Sequence, residues 1–456
     1  MSKSIVVLSG GTATNELVSI LDPNYFKVTY VLPILDNGGS SSEIIRVIGG
    51  PAIGDIRSRL TRLIPDRHIG LRNFLCYRLD ASASVAKSEW DQIIDGSHDL
   101  WQDIPNSTKE IVRSFLLHIH VELLKRSRIC AGPSSGKPFK FECANVGNLF
   151  LTAIRLFTGS LDSAIELFMK IAEINTEVEV LPCLNTNFSY HISAKLVDGS
   201  VITGQSQISH PSTNPLTSSE SRLVTDENIT RNEEVLPGSQ EDLVRCSVTD
   251  DAFSSDEEIG NTPLYTHPDL KKSQLHFQKT DEIKPLTAPI ERIMYVSPYG
   301  EEICPVAQPK VLSKLSKADI VLYSIGSLMT SIIPIVILKG VGKAIASEIS
   351  DSKIRVLLLN GSEDRETSGL KALEYVRIIS ELAQYLMKKS GQRHLCDRAK
   401  FVTHLLYMEN SRIAVDLEVL LEMGLECIAI KQLGTGVDKY DLNDLLLQLK
   451  LLSGEV

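Results

Sequence analysis

Apolar runs alternate with helical patterns along the chain. Residues 4–9 and 27–35 are nearly continuous runs of strand-forming residues, and the pattern between them predicts a helix from about Asn15 to Leu21. Similar runs return in the second half of the chain, at 290–298, 318–328 and 353–361. Buried strands separated by helices are typical of a parallel sheet that is covered on both faces. We therefore predict an α/β protein with a Rossmann-like, three-layer parallel sheet.

The middle of the chain has a different pattern. The region from Gly54 to about Arg126 reads mainly as helices, and it contains an expected helical insertion at about 76–135. A loop is predicted at 127–140. Further helices are predicted at 145–157, 162–174 and 365–389, and further strands at 177–184, 190–208 and 427–433. Asp198-Gly199 is expected to form a hairpin turn within the second of these strand regions.

Residues 211–285 differ in composition from the rest of the chain. They are rich in Ser, Thr, Asp and Glu, and the part at 219–258 holds 12 Asp or Glu against 3 Arg, a net charge of −9 out of −10 for the chain. A segment of this kind cannot bury enough apolar surface to order itself. We predict a disordered acidic linker at 211–285 and one discontinuous domain made of 1–210 and 286–456.

Composition and patterning argue against two classes of partner. The acidic chain has no run of Lys and Arg interleaved with aromatic residues, so we expect no nucleic-acid binding. The apolar stretch 320–338 is interrupted by polar residues and Pro334, which favours a strand, a polar loop and a helix start over a membrane span. The eight scattered cysteines and the short, polar N-terminal stretch predict a cytoplasmic protein without membrane association.

A glycine turn follows the first predicted strand. Gly10, Gly11 and Thr12 come directly before the predicted helix. Glycine lets backbone amides approach an anion closely, and a helix N-terminus adds its positive dipole. The turn matches neither GxGxxG nor GxxxxGK[ST], so it is not a standard nucleotide-binding motif. It is compatible with a phosphate site and equally with a turn that requires glycine for steric reasons.

Polar residues also follow the second predicted strand. Residues 36–42 read DNGGSSS, and acid, amide and hydroxyl groups of this kind bind sugar hydroxyls, phosphate or a phosphate-bound metal. A tight turn in which serine caps the next helix is the alternative. The carboxyl ends of parallel strands form the ligand edge of an α/β sheet. We therefore expect this second turn to lie beside the first one, with candidate ligand-binding residues Asp36, Asn37, Gly38, Gly39 and Ser40.

Three further polar stretches complete the candidate site. Arg57 could bind a phosphate in a bidentate manner and Asp55 could hold Arg57 or a metal, although an acidic first turn on a solvated basic helix explains the pair equally well. Asn148 lies at a predicted helix start, and Gly326 and Ser327 follow the apolar run IVLY. These stretches bring no Ser-His-Asp, Cys-His or paired-glutamate pattern. The residues alone therefore predict a phosphate-binding site without a recognisable nucleophile or base.

Six stretches, taken in order, resemble the motifs of one family. They are SGGTAT, LDNGGSSS, GPAIGDIRSRL, NVGNLFLTAI, YSIGSLMTSIIP and NGSEDRETSG. Together they are similar to the 2-phospho-L-lactate transferase (CofD) superfamily, including its gluconeogenesis-factor (YvcK) branch. The similarity covers about 1–210 and 290–456. It implies a Rossmann-like fold, one ligand site assembled from these loops, and a homodimer.

The resemblance implies two functions. The leading interpretation is binding of a nucleotide or nucleotide-sugar through its phosphates, with a regulatory role in central carbon metabolism and no tightly bound organic cofactor. The alternative is a transferase that moves a phosphoester group from a nucleotide diphosphate, with Asp36 as the catalytic residue that orients the acceptor hydroxyl or binds Mg²⁺. A scaffold with a vestigial site is a third reading. The turn GGTAT, the pair Asp36-Asn37 and the stretch SIGS depart from the family motifs, which weakens the case for the transferase.

Overall fold

The computed structural model describes residues 2–35, 38–129, 138–209, 285–347, 353–389, 401–434 and 438–454. The predicted disordered linker falls on residues outside these ranges, apart from Pro285. Asp36 and Asn37 also lie outside the described residues. The linker, the catalytic role of Asp36 and its role as a metal ligand therefore stay predictions.

The apolar runs of the sequence form the strands of a parallel sheet. The strands of the described residues are β1 Lys3–Leu8, β2 Phe26–Leu32, β3 Val178–Pro182, β4 His191–Leu196, β5 Val201–Thr203, β6 Ile290–Val296, β7 Glu302–Ile303, β8 Ile320–Tyr323, β9 Ile354–Leu358, β10 His404–Met408 and β11 Glu426–Ile430. Seven of them form one sheet in the order β11-β10-β9-β8-β1-β2-β3, and all neighbouring pairs are parallel. Strand β1 lies near the centre, and Ile5, Val7 and Leu8 are completely buried there.

Helices flank this sheet, as the alternating pattern predicts. They are α1 Ser40–Ile48, α2 Gly54–Leu63, α3 Ile69–Cys76, α4 Ala83–Asp95, α5 Asn106–Ile129, α6 Val146–Thr158, α7 Leu161–Ile171, α8 Gln205–Ser209, α9 Pro309–Lys317, α10 Ile333–Val336, α11 Val341–Ala346, α12 Ala372–Lys389, α13 Leu417–Glu422 and α14 Leu442–Ser453. Three short 3₁₀-helices lie at Ala13–Ser19, Asp66–His68 and Asp99–Trp101, and a π-helix at Leu328–Ile332 precedes α10. The Rossmann-like α/β fold is confirmed.

Several local predictions need correction. The helix predicted from Asn15 to Leu21 is the 3₁₀-helix Ala13–Ser19, and the strand pattern at 190–208 ends in the short helix α8. The helix predicted over 365–389 begins only at α12, because the Asp364 side chain accepts hydrogen bonds from two following amides and holds a local turn. Helix α5 continues to Ile129, inside the predicted loop. Strand β10 has no counterpart among the predictions.

A second, antiparallel sheet has the order β5-β4-β6-β7 and was not anticipated as a separate layer. Its β4–β5 hairpin turns at Asp198-Gly199, as predicted, with Gly199 at a φ of 84°. The apolar stretch 320–338 divides into β8, a polar loop, the π-helix and α10, which confirms the interpretation from sequence. Among the described residues, we find no helix with the length and apolar character that crossing a bilayer requires.

The strand order places a topological switch point at β1. The chain runs from β1 to β2 and β3 on one side, and later adds β8, β9, β10 and β11 on the other side. After β1 the chain therefore continues to one side of the sheet, and after β8 it continues to the other side. In open α/β sheets a crevice opens at this point, outside the carboxyl ends of the strands. The fold thus points to the loops at 9–12 and 324–327 as the walls of a site.

A buried histidine in β4 gives the fold a testable pH dependence. Burial lowers the pKa of His191 from 6.5 to about 4. The unfolded chain binds a proton at His191 below pH 6.5, whereas the folded chain stays neutral there until about pH 4. Stability should therefore fall with decreasing pH across this window, by about 1.4 kcal/mol per pH unit from this residue.

Urea unfolding of His191→Gln between pH 7 and pH 4 checks this expectation. We expect the variant to lose less stability than the wild type as the pH decreases. This expectation holds whatever the substitution does to stability at pH 7. The control is His118→Gln, which replaces a half-buried histidine on α5. If the stability of His191→Gln falls with decreasing pH as steeply as that of the wild type, the lowered pKa of His191 is wrong.

Candidate functional site

The turn after β1 lies in direct contact with helix α2. A Cβ atom added to Gly11 would lie 2.4 Å from Oδ1 and 2.6 Å from Cα of Asp55. A Cβ atom added to Gly10 would lie 2.6 Å from the Oγ of Ser331. The steric explanation for these glycines is therefore correct. The same contact brings the predicted residues Gly10, Gly11 and Asp55 together.

A buried arginine fixes the polar groups of this turn. Arg59 of α2 is fully buried, and its guanidinium donates to the carbonyl oxygens of Thr14, at 3.2 Å, and Gly10, at 3.3 Å. Its Cζ lies 4.5 Å from the centre of the Tyr30 ring. Burial is the main reason that the pKa of Arg59 falls to about 10, so the side chain keeps its charge at neutral pH. The solvated basic helix, one of the two readings that the sequence left open, does not hold for Arg59.

Hydrogen-bond donors remain at the turn once its carbonyls are bound. Within the described ranges, the amides of Gly10, Gly11 and Thr12 have no hydrogen-bond acceptor. The Ser9 hydroxyl at the end of β1 is buried and also has no partner there. Thr12 is exposed and does not cap the following 3₁₀-helix. A row of backbone donors near a strand end is the arrangement that binds phosphate in other α/β proteins.

The second turn and two helix starts are joined by one chain of hydrogen bonds. Arg57 Nε donates to Asn148 Oδ1 at 3.1 Å, and Asn148 Nδ2 donates to the Oγ of Ser40 at 2.9 Å. Gly38 and Gly39 precede Ser40, and Gly39 has a φ of 54°, a conformation that favours glycine. The structure therefore brings together the predicted residues Gly39, Ser40, Arg57 and Asn148.

The loop after β8 is held by two side chains from the loop after β9. Gly326 and Asn360 form a reciprocal pair, in which Gly326 N donates to Asn360 Oδ1 at 2.9 Å and Asn360 Nδ2 donates to Gly326 O at 2.8 Å. The Ser327 hydroxyl donates to Glu366 and accepts from the amide of Thr330. Ser327, predicted as a ligand-binding residue, thus has its hydroxyl engaged within the protein.

Glu366 is a functional candidate that the site prediction missed. Its carboxylate is buried and accepts hydrogen bonds from Ser209, Ser327 and Thr330. Burial is the main cause of its raised pKa, and nearby Asp364 adds to the shift. The carboxylate lies at the start of the helical stretch 328–336, so a negative group of the protein already occupies that helix N-terminus. The motif NGSEDRETSG is the only sequence signal that includes it.

A cleft of about 830 Å³ lies at the carboxyl ends of β1, β8, β9 and β10. It is lined by Ala13, Glu16, Leu17, Ser209, Pro285, Ile325, Gly326, Ser327, Asn360, Gly361, Ser362, Glu363, Asp364, Arg365, Glu366, Ser368, Met408, Asp438, Lys439, Tyr440 and Leu442. Of the predicted site residues, this wall includes Gly326 and Ser327. Gly39, Ser40, Arg57 and Asn148 lie outside it, so the predicted residues are divided between the cleft and a separate polar region joined by hydrogen bonds.

The charges of the cleft are mostly paired within the protein. Arg365 donates to the carbonyl oxygens of Gln207 and Ile208, and Lys439 forms an ion pair with Glu16 at 2.6 Å. The part of the chain that the structure describes contains no group of three His, Cys, Asp or Glu residues arranged for a metal ion.

The contact between Gly11 and Asp55 predicts the effect of Gly11→Ala. The added methyl group overlaps the backbone of α2, so α2 must move, at a cost of about 1–3 kcal/mol in the free energy of unfolding. The control is Gly434→Ala, where an added Cβ meets no atom within 4 Å. We expect that control to change stability by less than about 0.5–1 kcal/mol, measured by urea unfolding. Equal effects of the two substitutions would contradict the close contact.

Known proteins are similar to this chain over most of its length. The family model described as "2-phospho-L-lactate transferase CofD" matches residues 5–433. The Saccharomyces cerevisiae protein YNL011C is 44% identical over 439 residues, which cover 93% of this chain and 94% of that protein.

Two crystal structures of the Bacillus halodurans protein BH3568, a member of the UPF0052 family, share the fold. Their TM-scores are 0.58 and 0.57 at 15% and 16% sequence identity, and each comparison covers 98% of this chain and 99% of the other. The resemblance seen in the six sequence motifs is confirmed by the family match over nearly the whole chain. This chain belongs to the CofD family.

Proposed function

We propose that this CofD-family protein binds a nucleotide or nucleotide-sugar, with its phosphates on the turn after β1 and the rest of the molecule in the neighbouring cleft. The observation that carries the proposal is the row of amides at Gly10, Gly11 and Thr12, which have no acceptor among the described residues and lie at the topological switch point. The volume of about 830 Å³ falls in the range of small-molecule sites.

The two sides of the crevice differ in their affinity for an anion. On the β8 side, Glu366 fills the helix N-terminus, so a phosphate there would meet a like charge. On the β1 side, Arg59 lies beneath the turn and its charge supports an anion above it. This asymmetry supports phosphate binding at the β1 turn and leaves Gly326 to contact the remainder of the ligand.

The leading role within this proposal is regulation of central carbon metabolism through ligand binding, in a cytoplasmic homodimer. A second candidate is phosphoester transfer. It is favoured by the separate polar region of Ser40, Arg57 and Asn148, which lies outside the cleft and begins four residues after Asp36 in the chain. Transfer of this kind needs mainly positioning and charge neutralisation. In that case Asp36 would orient the acceptor hydroxyl or bind Mg²⁺.

Ligand-dependent thermal stability tests the binding proposal. We expect GDP, UDP-glucose or NAD to raise the Tm, because a ligand at 100 times its Kd stabilises the folded state by about 2.7 kcal/mol. Ala13→Glu places a carboxylate at the start of the 3₁₀-helix, beside the turn, where an acid does not disturb the helix. This variant should keep the Tm of the unliganded protein and lose the ligand-induced shift.

The control for Ala13→Glu is Ala83→Glu, which makes the same substitution at the exposed first residue of α4, outside the cleft. It should retain the shift. If no compound changes the Tm of the wild type, the binding proposal fails and the scaffold interpretation gains support.

The transferase is tested separately with Asn37→Asp, which restores the acidic pair of the family and should increase Mg²⁺-dependent turnover.

A further inference from the structure

We infer that Glu366 is a positioning residue that joins the β8 loop of the cleft to helix α8, so that both elements hold their places together. Glu366 Oε1 accepts from the Oγ atoms of Ser209, at 2.5 Å, and Thr330, at 2.8 Å. Glu366 Oε2 accepts from the Ser327 hydroxyl and from the Thr330 amide, at 3.1 Å. One buried carboxylate therefore links α8 to the β8 loop, two elements far apart in the chain.

Helix α8 depends on this link because it has little stability of its own. It is only five residues long, and helices of this length are not stable in isolation. Ile208 is buried, and Arg365 Nη1 donates to the carbonyl oxygens of Gln207, at 2.7 Å, and Ile208, at 2.5 Å. A cation at the carbonyl end of a helix satisfies groups that the helix leaves without partners. Arg365 and Glu366 thus both hold the C-terminal end of the same short helix, at Gln207, Ile208 and Ser209.

The link has a consequence for ligand binding that rests on the proposed function. Ser209 and Ser327 both line the cleft, one on each side of Glu366. A ligand that touches both walls binds best when both are in place. By thermodynamic linkage, occupancy of the cleft then strengthens the placement of α8, and loss of α8 weakens binding by the same factor.

Hydrogen exchange of the full-length protein tests the link without any ligand. We expect Glu366→Ala to raise amide exchange at both 203–209 and 324–331 by about tenfold, which corresponds to losing a hydrogen bond to a charged group. Glu366→Gln should restore most of the protection, since the amide oxygen still accepts and the neighbouring hydroxyls can reverse their donor role. The control is Glu363→Gln, another cleft carboxyl, which accepts from the Gly369 amide outside both segments.

A milder variant covers the case in which Glu366→Ala does not fold. Ser209→Ala removes one donor on the α8 side and should raise exchange at 203–209 and, to a smaller extent, at 324–331. Faster exchange at 203–209 alone, with 324–331 unchanged, would overturn the link. So would a Glu366→Gln variant as unprotected as Glu366→Ala.

The ligand arm uses GDP and UDP-glucose as probes. Whichever probe raises the Tm of the wild type should also slow exchange at 203–209, and its affinity should fall about tenfold in Ser209→Ala. If neither probe binds, the proposed function fails while the ligand-free exchange still decides the link. If a probe binds but leaves exchange at 203–209 unchanged, the linkage to ligand binding is wrong and the proposed function stands.

Discussion

The candidate site depends on the close approach of the β1 turn to helix α2. Because Gly11 has no side chain, the first turn of α2 lies directly against the turn and brings Asp55 into contact with its backbone. One helical turn later, Arg59 reaches beneath the same turn and binds two of its carbonyl groups. Arg57 lies between these two residues in α2 and donates a hydrogen bond to Asn148. A single helix therefore sets the place of the turn, the direction of its polar groups and its connection to the second polar region.

The electrostatics of the site follow from how the protein uses its own charges. Glu366 lies at the start of the helical stretch after β8, Arg365 binds the carbonyl end of α8, and Lys439 pairs with Glu16. An anionic ligand would then meet backbone amides rather than flexible cationic side chains. Such donors are fixed by the fold and need no side-chain ordering when a ligand binds. Under the proposed function, recognition at this turn therefore depends on backbone shape, which the glycines allow and Arg59 supports from below.

The sequence predicts the parallel sheet well and the site only in part. Strands β1, β2, β8 and β9 are apolar runs bounded by polar turns, and that local pattern is sufficient to recognise them. The turns after β1 and β2 could be placed at one edge because parallel strands end there. The partners of Glu366 could not be predicted, since Ser209 and Ser327 lie 157 and 39 residues away from it in the chain. The burial of Arg59 is likewise a product of tertiary packing, and its local spacing resembles an exposed basic face.

The closeness of Ser209 and Pro285 has a consequence for the evolution of the family. Ser209 and Pro285 line the same cleft, so the chain leaves and rejoins the described fold at one place. The entropy of closing a loop grows only slowly with its length, and doubling that length costs about 0.6 kcal/mol. Relatives can therefore gain or lose many residues here with little effect on the sheet. Natural selection can therefore rewrite this stretch at low thermodynamic cost.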